Sequence, residues 1–260
     1  MSTIANIATF LEQLAPGRLA EEWDNVGLLV GCQSQTVTKL MTCLTVTPAS
    51  AAEAIEAGAQ LIVAHHPMPF QATRRLTDDT TAGRLLLDLI AARVAVYSPH
   101  TAFDSAAEGV NQRLAEGLQL HDIAPLVPHA EGQGTGRWGR LVDPTLLGKL
   151  ADRLKRFLVI DRLQMVGQPK KVVRTVAVAC GAAGEFLEVA KENDCDAMVI
   201  GEARFHTCLE AEASGIGLLL PGHFSSERFA VECLAQVLEG RFPDIEVWAS
   251  RNEHDPMRWE

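Results

Sequence analysis

Short apolar runs alternate with segments of helical periodicity over most of the chain, an order that predicts an α/β fold. Ile4, Ile7, Leu11 and Leu14 recur at helical spacing, so a first amphipathic helix is expected to end near Pro16-Gly17. "LMTCLTVT" (40–47) reads as a strand, "PASAAEAIEAGA" (48–59) as a helix closing at Gly58, and "QLIVAHHP" as the next strand. "AGRLLLDLIAAR" (82–93) continues as a helix, "VAVYSPH" as a strand and "EGVNQRLAEGLQL" as another helix. Pro, Gly and polar residues break the rhythm across 121–144, which reads as the passage to a second unit. Helices are then expected at "TLLGKLADRLKRFL", "GEFLEVAKEND", "RFHTCLEAEASG" and "SERFAVECLAQVLEGRF". Strands are expected at 175–180, 197–201, 217–222 and "IEVWAS". The domains are therefore set at 1–125 with 222–260, and 126–221.

In open α/β sheets, ligands gather outside the carboxyl ends of the strands, where loops and helix N-termini converge. Four such ends carry imidazole or carboxylate: "LIVAHHP" with His65 and His66, "VAVYSPHTAFD" with His100 and Asp104, "AMVIGEARFH" with Glu202 and His206, and "GLLLPGHFSSE" with His223 and Glu227. A single histidine beside a strand is more often a hydrogen-bonded structural residue than a ligand, and His121, His129 and His254 are read that way. Adjacent histidines in a pleated strand would point to opposite faces. Pro67 and Pro69 end ladder pairing just beyond them, which frees both rings to turn toward one cleft. His100/Asp104 and His223/Glu227 each have i,i+4 spacing, which puts both side chains on one helical face. Together with the double histidine they exceed the needs of one tetrahedral ion. Two divalent ions are implied, and mixed imidazole and carboxylate donors suit Zn, Mn, Fe or Co better than Ca or Mg.

Composition narrows the partners. With 23 Lys and Arg against 33 Asp and Glu, the net charge is −10, and no basic block is present. Neither nucleic acid nor an anionic membrane is expected to bind tightly, whereas a phosphorylated small molecule remains compatible with a metal-containing site. Six scattered cysteines without a C-x-x-C suit a reducing, cytoplasmic setting. No stretch reads as a membrane span or a secretory signal. Gly181 and Gly184 in "ACGAAGEFLEVA" suit either a tight strand-to-helix connection or a phosphate cradle. In "EEWDNVGLLVG" the acidic and amide residues around Trp23 suit either an Asx-type turn with Trp23 packed over the core or a substrate contact.

The set "EEWDNVGLLVG", "HHPMPF", "SPHTAFD" and "PGHFSSE", in this order over nearly the whole chain, resembles the GTP cyclohydrolase 1 type 2 homologs, also called Ngg-interacting-factor-three-like proteins. The resemblance implies two α/β domains with a metal-binding cleft between them, a dinuclear centre and a toroidal homohexamer. Matched position by position, it implies His65, His66, Asp104, His223 and Glu227 as metal ligands, and His100 as a close neighbour that orients Asp104 or meets substrate. Glu202 and His206 match a segment bordering the cleft, although Ile200 replaces a usual Thr and Phe205 a frequent His; Pro221 stands for a common Ala. The activity implied is opening of the purine ring of GTP or a related nucleotide by a metal-held hydroxide, with His100 or His206 shuttling the proton and Glu227 bridging the ions. Two other readings share the site: a metal-dependent phosphoesterase, and a non-catalytic hexameric metal-binding scaffold.

Overall fold

The sequence opens with Thr3 and Asn6 capping each other's backbone amides, which starts a helix whose apolar stripe, Ile4, Ile7 and Leu11, is fully buried. In the computed structural model, which describes residues 1–130 and 132–258, the elements run α1 (Ile4–Leu14), β1 (Gly27–Val30), β2 (Lys39–Cys43), α2 (Pro48–Ala57), β3 (Leu61–Ala64), α3 (Thr81–Ala91), β4 (Ala95–Ser98), α4 (His100–Ser105) and α5 (Val110–Gly117). They continue through β5 (Leu120–Ala124), β6 (Val127–Ala130), β7 (Gln133–Thr135), β8 (Arg137–Leu146), α6 (Leu147–Leu158), β9 (Gln164–Val166) and β10 (Val172–Ala179). The last are α7 (Leu187–Glu192), β11 (Ala197–Ile200), α8 (Phe205–Ser214), β12 (Gly217–Leu220), α9 (His223–Arg241) and β13 (Glu246–Ala249). No helix among the described residues is long and apolar enough to cross a membrane.

The chain divides into two α/β units, Met1–Phe103 with Ala230–Glu260, and Asp104–Phe229. In the first, the strand order is β1-β4-β3-β2-β13, parallel except for β1 at the edge. All four residues of β3 are buried, as a parallel strand covered on both faces requires. α2 begins at the Thr47 cap with Pro48 in the first turn and stops at Gly58, whose φ of 70° is the left-handed cap expected there.

In the second unit the order is β5-β8-β10-β11-β12-β9, with a parallel centre, β10-β11-β12, and antiparallel flanks. Val176 and Val178 pack with Leu147, Leu150 and Leu154 of α6, while Ala177 and Ala179 face the opposite layer with Leu187 and Ala211. This two-residue period fixes the register of β10. Residues 121–144 differ from the expected break in rhythm: they are mostly strand, forming much of β5 and β8 and the β6-β7 hairpin. Positive φ values at Asp122 (52°), Gly134 (150°) and Gly136 (64°) punctuate these strands, which is why their apolar alternation is hard to see.

Glu53 on α2 ties down the segment after β13. Its carboxylate accepts from Trp248 Nε1 at 3.0 Å, Ser250 Oγ at 2.7 Å, and the backbone amides of Arg251 and Asn252. Burial pushes its pKa up, but these hydrogen bonds outweigh that and hold it below the ordinary 4.5. A depressed folded-state pKa contributes stability above the unfolded value, and that contribution is lost as pH falls through the folded value. Glu53→Gln is expected to cost about 1–2 kcal/mol at pH 7 after solvent screening, with the gap to wild type shrinking below pH ~4.5. Urea unfolding of both proteins at several pH values checks this, and a pH-independent gap would count against it.

Candidate metal centre

The first donor set grows from the ends of β3 and β4. His65 N–H donates to Cys43 O at 2.9 Å and His66 N–H to Leu44 O at 2.8 Å. In a regular parallel ladder only alternate amides face a given neighbour, so two consecutive ones show the chain rolling out of the pleat here. Both rings can thus lie on one side, and their centroids are 5.2 Å apart. Ser98 Oγ donates to His65 O at 2.6 Å, fixing this turn against the end of β4. His66 Nδ1 shares a hydrogen bond with Thr45 Oγ1 at 2.7 Å, and Glu253, in the segment held by Glu53, accepts from the amides of Leu44 and Thr45.

His100 is the third member. Its centroid lies 5.3 Å from that of His65 and 5.5 Å from that of His66, and ligand atoms of the three side chains all fall within 4.8 Å of one another. Nitrogens each about 2.1 Å from one ion would be separated by roughly 3.5–4 Å, so small side-chain turns suffice. His65 and His100 are buried, at 2% and 9% exposure, and a purely structural role would not require three imidazoles to converge at the sheet rim. His100 has a φ of 27°, a left-handed value that costs a non-glycine residue of order 1 kcal/mol.

Asp24 holds that strained residue in place. Its side chain is fully buried, meets His100 Nδ1 at 2.7 Å and accepts from the backbone and hydroxyl of Thr101. Burial pushes the Asp24 pKa up, but the hydrogen bonds and charge of His100, with those of Thr101 and Asn25, bring it down to about 2. An ionised carboxylate only accepts, so Nδ1 of His100 carries the proton and Nε2 is left as a proton acceptor beside His65 and His66. Asp24→Asn removes the group that selects this tautomer, and the activity of metal-loaded protein is expected to fall by about 10- to 100-fold with metal content unchanged. Paired activity and metal measurements check this, and wild-type activity in the variant would argue against the assigned role.

The second donor set lies at the carboxyl ends of β10, β11 and β12. His223 opens α9, with Nδ1 2.9 Å from Glu202 Oε1 and Nε2 3.2 Å from Glu227 Oε2. The Glu227 hydrogen bond raises the His223 pKa, burial opposes it, and the charges of Glu227 and Glu202 with the Glu202 hydrogen bond take it up to about 9. Glu227 is 4% exposed and lies against Gly181, where a Cβ would sit 2.5 Å from Glu227 Oε1. With φ at 66°, Gly181 is required by backbone and by space alike. Asp104 accepts from Cys180 Sγ at 3.1 Å, while Asn111 donates to Asp104 O and accepts from Cys180 N–H, bracing both residues.

The donor chemistry fits divalent transition ions. Imidazole and carboxylate predominate, and the Cys180 thiol is pushed well above its ordinary pKa by burial and by the charges of Asp104 and Glu227, which keeps it protonated.

The phosphate cradle at Gly181 is not borne out: its N–H already donates to Ser226 Oγ at 3.1 Å, and the Glu227 carboxylate beside it would repel an anion. Gly184 lines a separate pocket of about 720 Å³ with Glu185, Glu202, Arg204 and Thr207. His206 is exposed on the first turn of α8, its ring edge-on to Phe205 at 6.1 Å. His121, His129 and His254 are exposed. Sequence reasoning missed the Asp24–His100 pair, because 76 positions separate the partners. The one signal was an acidic residue in the same short stretch as Trp23.

The model of the family described as Duf34/NIF3 (NGG1p interacting factor 3) matches residues 2–256. Among curated relatives, the GTP cyclohydrolase 1 type 2 homolog of Clostridium perfringens is 31% identical, over 98% of this chain and 98% of its own. The protein NIF3 homolog of Schizosaccharomyces pombe is 33% identical over 97% of this chain and 98% of its own. Among solved structures, Staphylococcus aureus protein SA1388 superposes with a TM-score of 0.91 at 25% identity, covering 100% of this chain and 99% of that one. A Bacillus cereus protein related to NIF3 gives 0.91 at 22% identity, with 100% and 99% covered, and shows the fold alone.

Proposed function

Since the chain belongs to the Duf34/NIF3 family, we propose that it is a hydrolase dependent on two divalent ions, Zn, Mn, Fe or Co, acting on GTP or a related nucleotide. His65, His66, Asp104, His223 and Glu227 are the ligands in this reading. The observation that carries it is the convergence of His65, His66 and His100 at the rim of a sheet, with Asp24 setting the tautomer of His100. When bound, such ions lower the pKa of water toward ~7 and so supply a nucleophile at neutral pH. His100 Nε2 would accept the proton given up by the nucleophilic water and return it to a ring nitrogen of the substrate. The Asp24 carboxylate stabilises the imidazolium formed in between, as its hydrogen bond to Nδ1 strengthens when the ring is charged. Glu202 holds Nδ1 of His223, so Nε2, on the side of Glu227, is the nitrogen that would hold an ion together with that carboxylate. His206, exposed on the first turn of α8, is the alternative proton carrier in this reading. The nucleotide follows from the names of the relatives, the homohexamer from the resemblance, and the cytoplasmic setting from the scattered cysteines.

Protein loaded with each metal in turn is incubated with purine nucleotides, following purine absorbance and free phosphate. Loss of purine absorbance, abolished by chelation and restored by metal, supports ring opening. Phosphate release with the purine intact supports the phosphoesterase, and metal-loaded protein inactive on the whole panel supports the scaffold. Light scattering at six times the 28.2 kDa chain mass tests the assembly.

A further inference from the structure

Trp23 and Phe70 are large aromatic side chains that remain in solvent, 62% and 51% exposed, although residues of this kind are usually well covered. They stand together, with centroids 6.0 Å apart and planes inclined at 43°. Each meets His100 edge-on, Trp23 at 6.0 Å and Phe70 at 6.2 Å, so the pair borders the histidine cluster within one unit. Their backbones are pinned: Asn25 Nδ2 donates to Pro69 O at 2.8 Å, and Asp24 is anchored on His100 and Thr101. Residues adjoining each ring are thus locked to one another while the rings face water. This is the arrangement of a pre-organised contact surface, and it differs from the core packing that the sequence also allowed for Trp23.

We propose that Trp23 and Phe70 form a stacking platform for the planar heteroaromatic ring of the substrate, holding it beside His100. The inclined rings leave each other's faces open, so a flat ligand can lie on one face and meet the other ring obliquely. One rim of the platform is imidazole, which favours a ring with polar edge atoms over a hydrocarbon. A purine meets both demands, since every nucleobase has a π-face and hydrogen-bonding edges. The inference rests on the nucleotide reading above and adds the residues that select the base.

The test is equilibrium binding to metal-loaded full-length protein, with guanosine 5′-monophosphate as probe and ribose 5-phosphate as the ring-free control. Wild type is expected to bind the nucleotide at least ~10-fold more tightly than the sugar phosphate. Trp23→Ala and Phe70→Ala are each expected to weaken nucleotide binding by about 5- to 100-fold, with metal content and sugar-phosphate affinity unchanged. Trp23→Phe, which keeps a ring, should retain most of the affinity and guards against misfolding as the cause. Equal binding of the two probes, no nucleotide binding by wild type, or wild-type affinity in both alanine variants overturns the platform. So does a smaller assembly in those variants, which would place the rings between copies of the chain. Binding is read without turnover: an inactive protein that still prefers the nucleotide keeps the platform and loses the hydrolase, and the converse result does the opposite.

Discussion

Glu227→Gln is expected to leave a folded protein that loses tightly held metal and, with it, turnover. The substitution preserves side-chain volume in a site only 4% exposed, so packing changes little. What disappears is a buried negative charge, which faces His223 Nε2 at 3.2 Å and would face an ion held there. Altering a group one step removed from a metal typically costs about 10- to 100-fold in affinity or activity, so removal of a direct ligand should cost at least about 100-fold. Metal analysis after a chelator challenge, with circular dichroism as the fold control, reads the result. Wild-type retention by the variant would remove Glu227 from the ligand set. The proton shared by His223 and Glu227 gives a second signature, because without the carboxylate the His223 pKa should drop from about 9 toward the ordinary 6.5.

The second large effect concerns a residue far from any motif. Arg137, at the start of β8, is 1% exposed and its guanidinium donates to main-chain carbonyls and one side-chain amide. Nη1 donates to Gly134 O and Gly136 O at 2.7 Å, Nη2 to Ala106 O at 2.7 Å and Ser105 O at 3.3 Å, and Nε to Gln112 Oε1 at 2.9 Å. Burial draws its pKa down to about 10, with Glu116 opposing, so it stays charged at neutral pH. This cation closes the β6-β7 hairpin onto the end of α4, next to Asp104. Arg137→Met keeps the apolar stem but leaves those carbonyls without their donor, for an expected loss of about 3–5 kcal/mol. The thermal midpoint should fall by at least about 6 °C. Lysine brings back the charge as a point donor that cannot fork between acceptors, so Arg137→Lys should recover only part of the loss. A methionine variant melting with wild type would refute the staple.

The contrast between these residues shows what the chain discloses before it folds. Strands buried on both faces, such as "LIVA" and "AMVI", announce themselves as unbroken apolar runs, and the rule placing ligands at their carboxyl ends led to His65, His100, Glu202 and His223. Partnerships over long sequence distance leave no such trace. Asp24 suits a turn as well as a site because its histidine lies in another strand connection, and nothing in "GRWGR" singles out Arg137 because most of its acceptors are main-chain carbonyls, which every residue has. The strands in 121–144 were hidden for a local reason, since Gly134, Gly136 and Pro128 interrupt the two-residue alternation while hydrogen bonding to neighbours still holds the ladder.

The account depends most on two ions held near one another by donors from separate parts of the chain. Chelated protein reloaded with Mn²⁺ and followed by metal analysis and electron paramagnetic resonance tests this directly. Two ions per chain with a spin-coupled spectrum is the expected result; fewer than one ion per chain, or two that behave as isolated Mn²⁺, would contradict it.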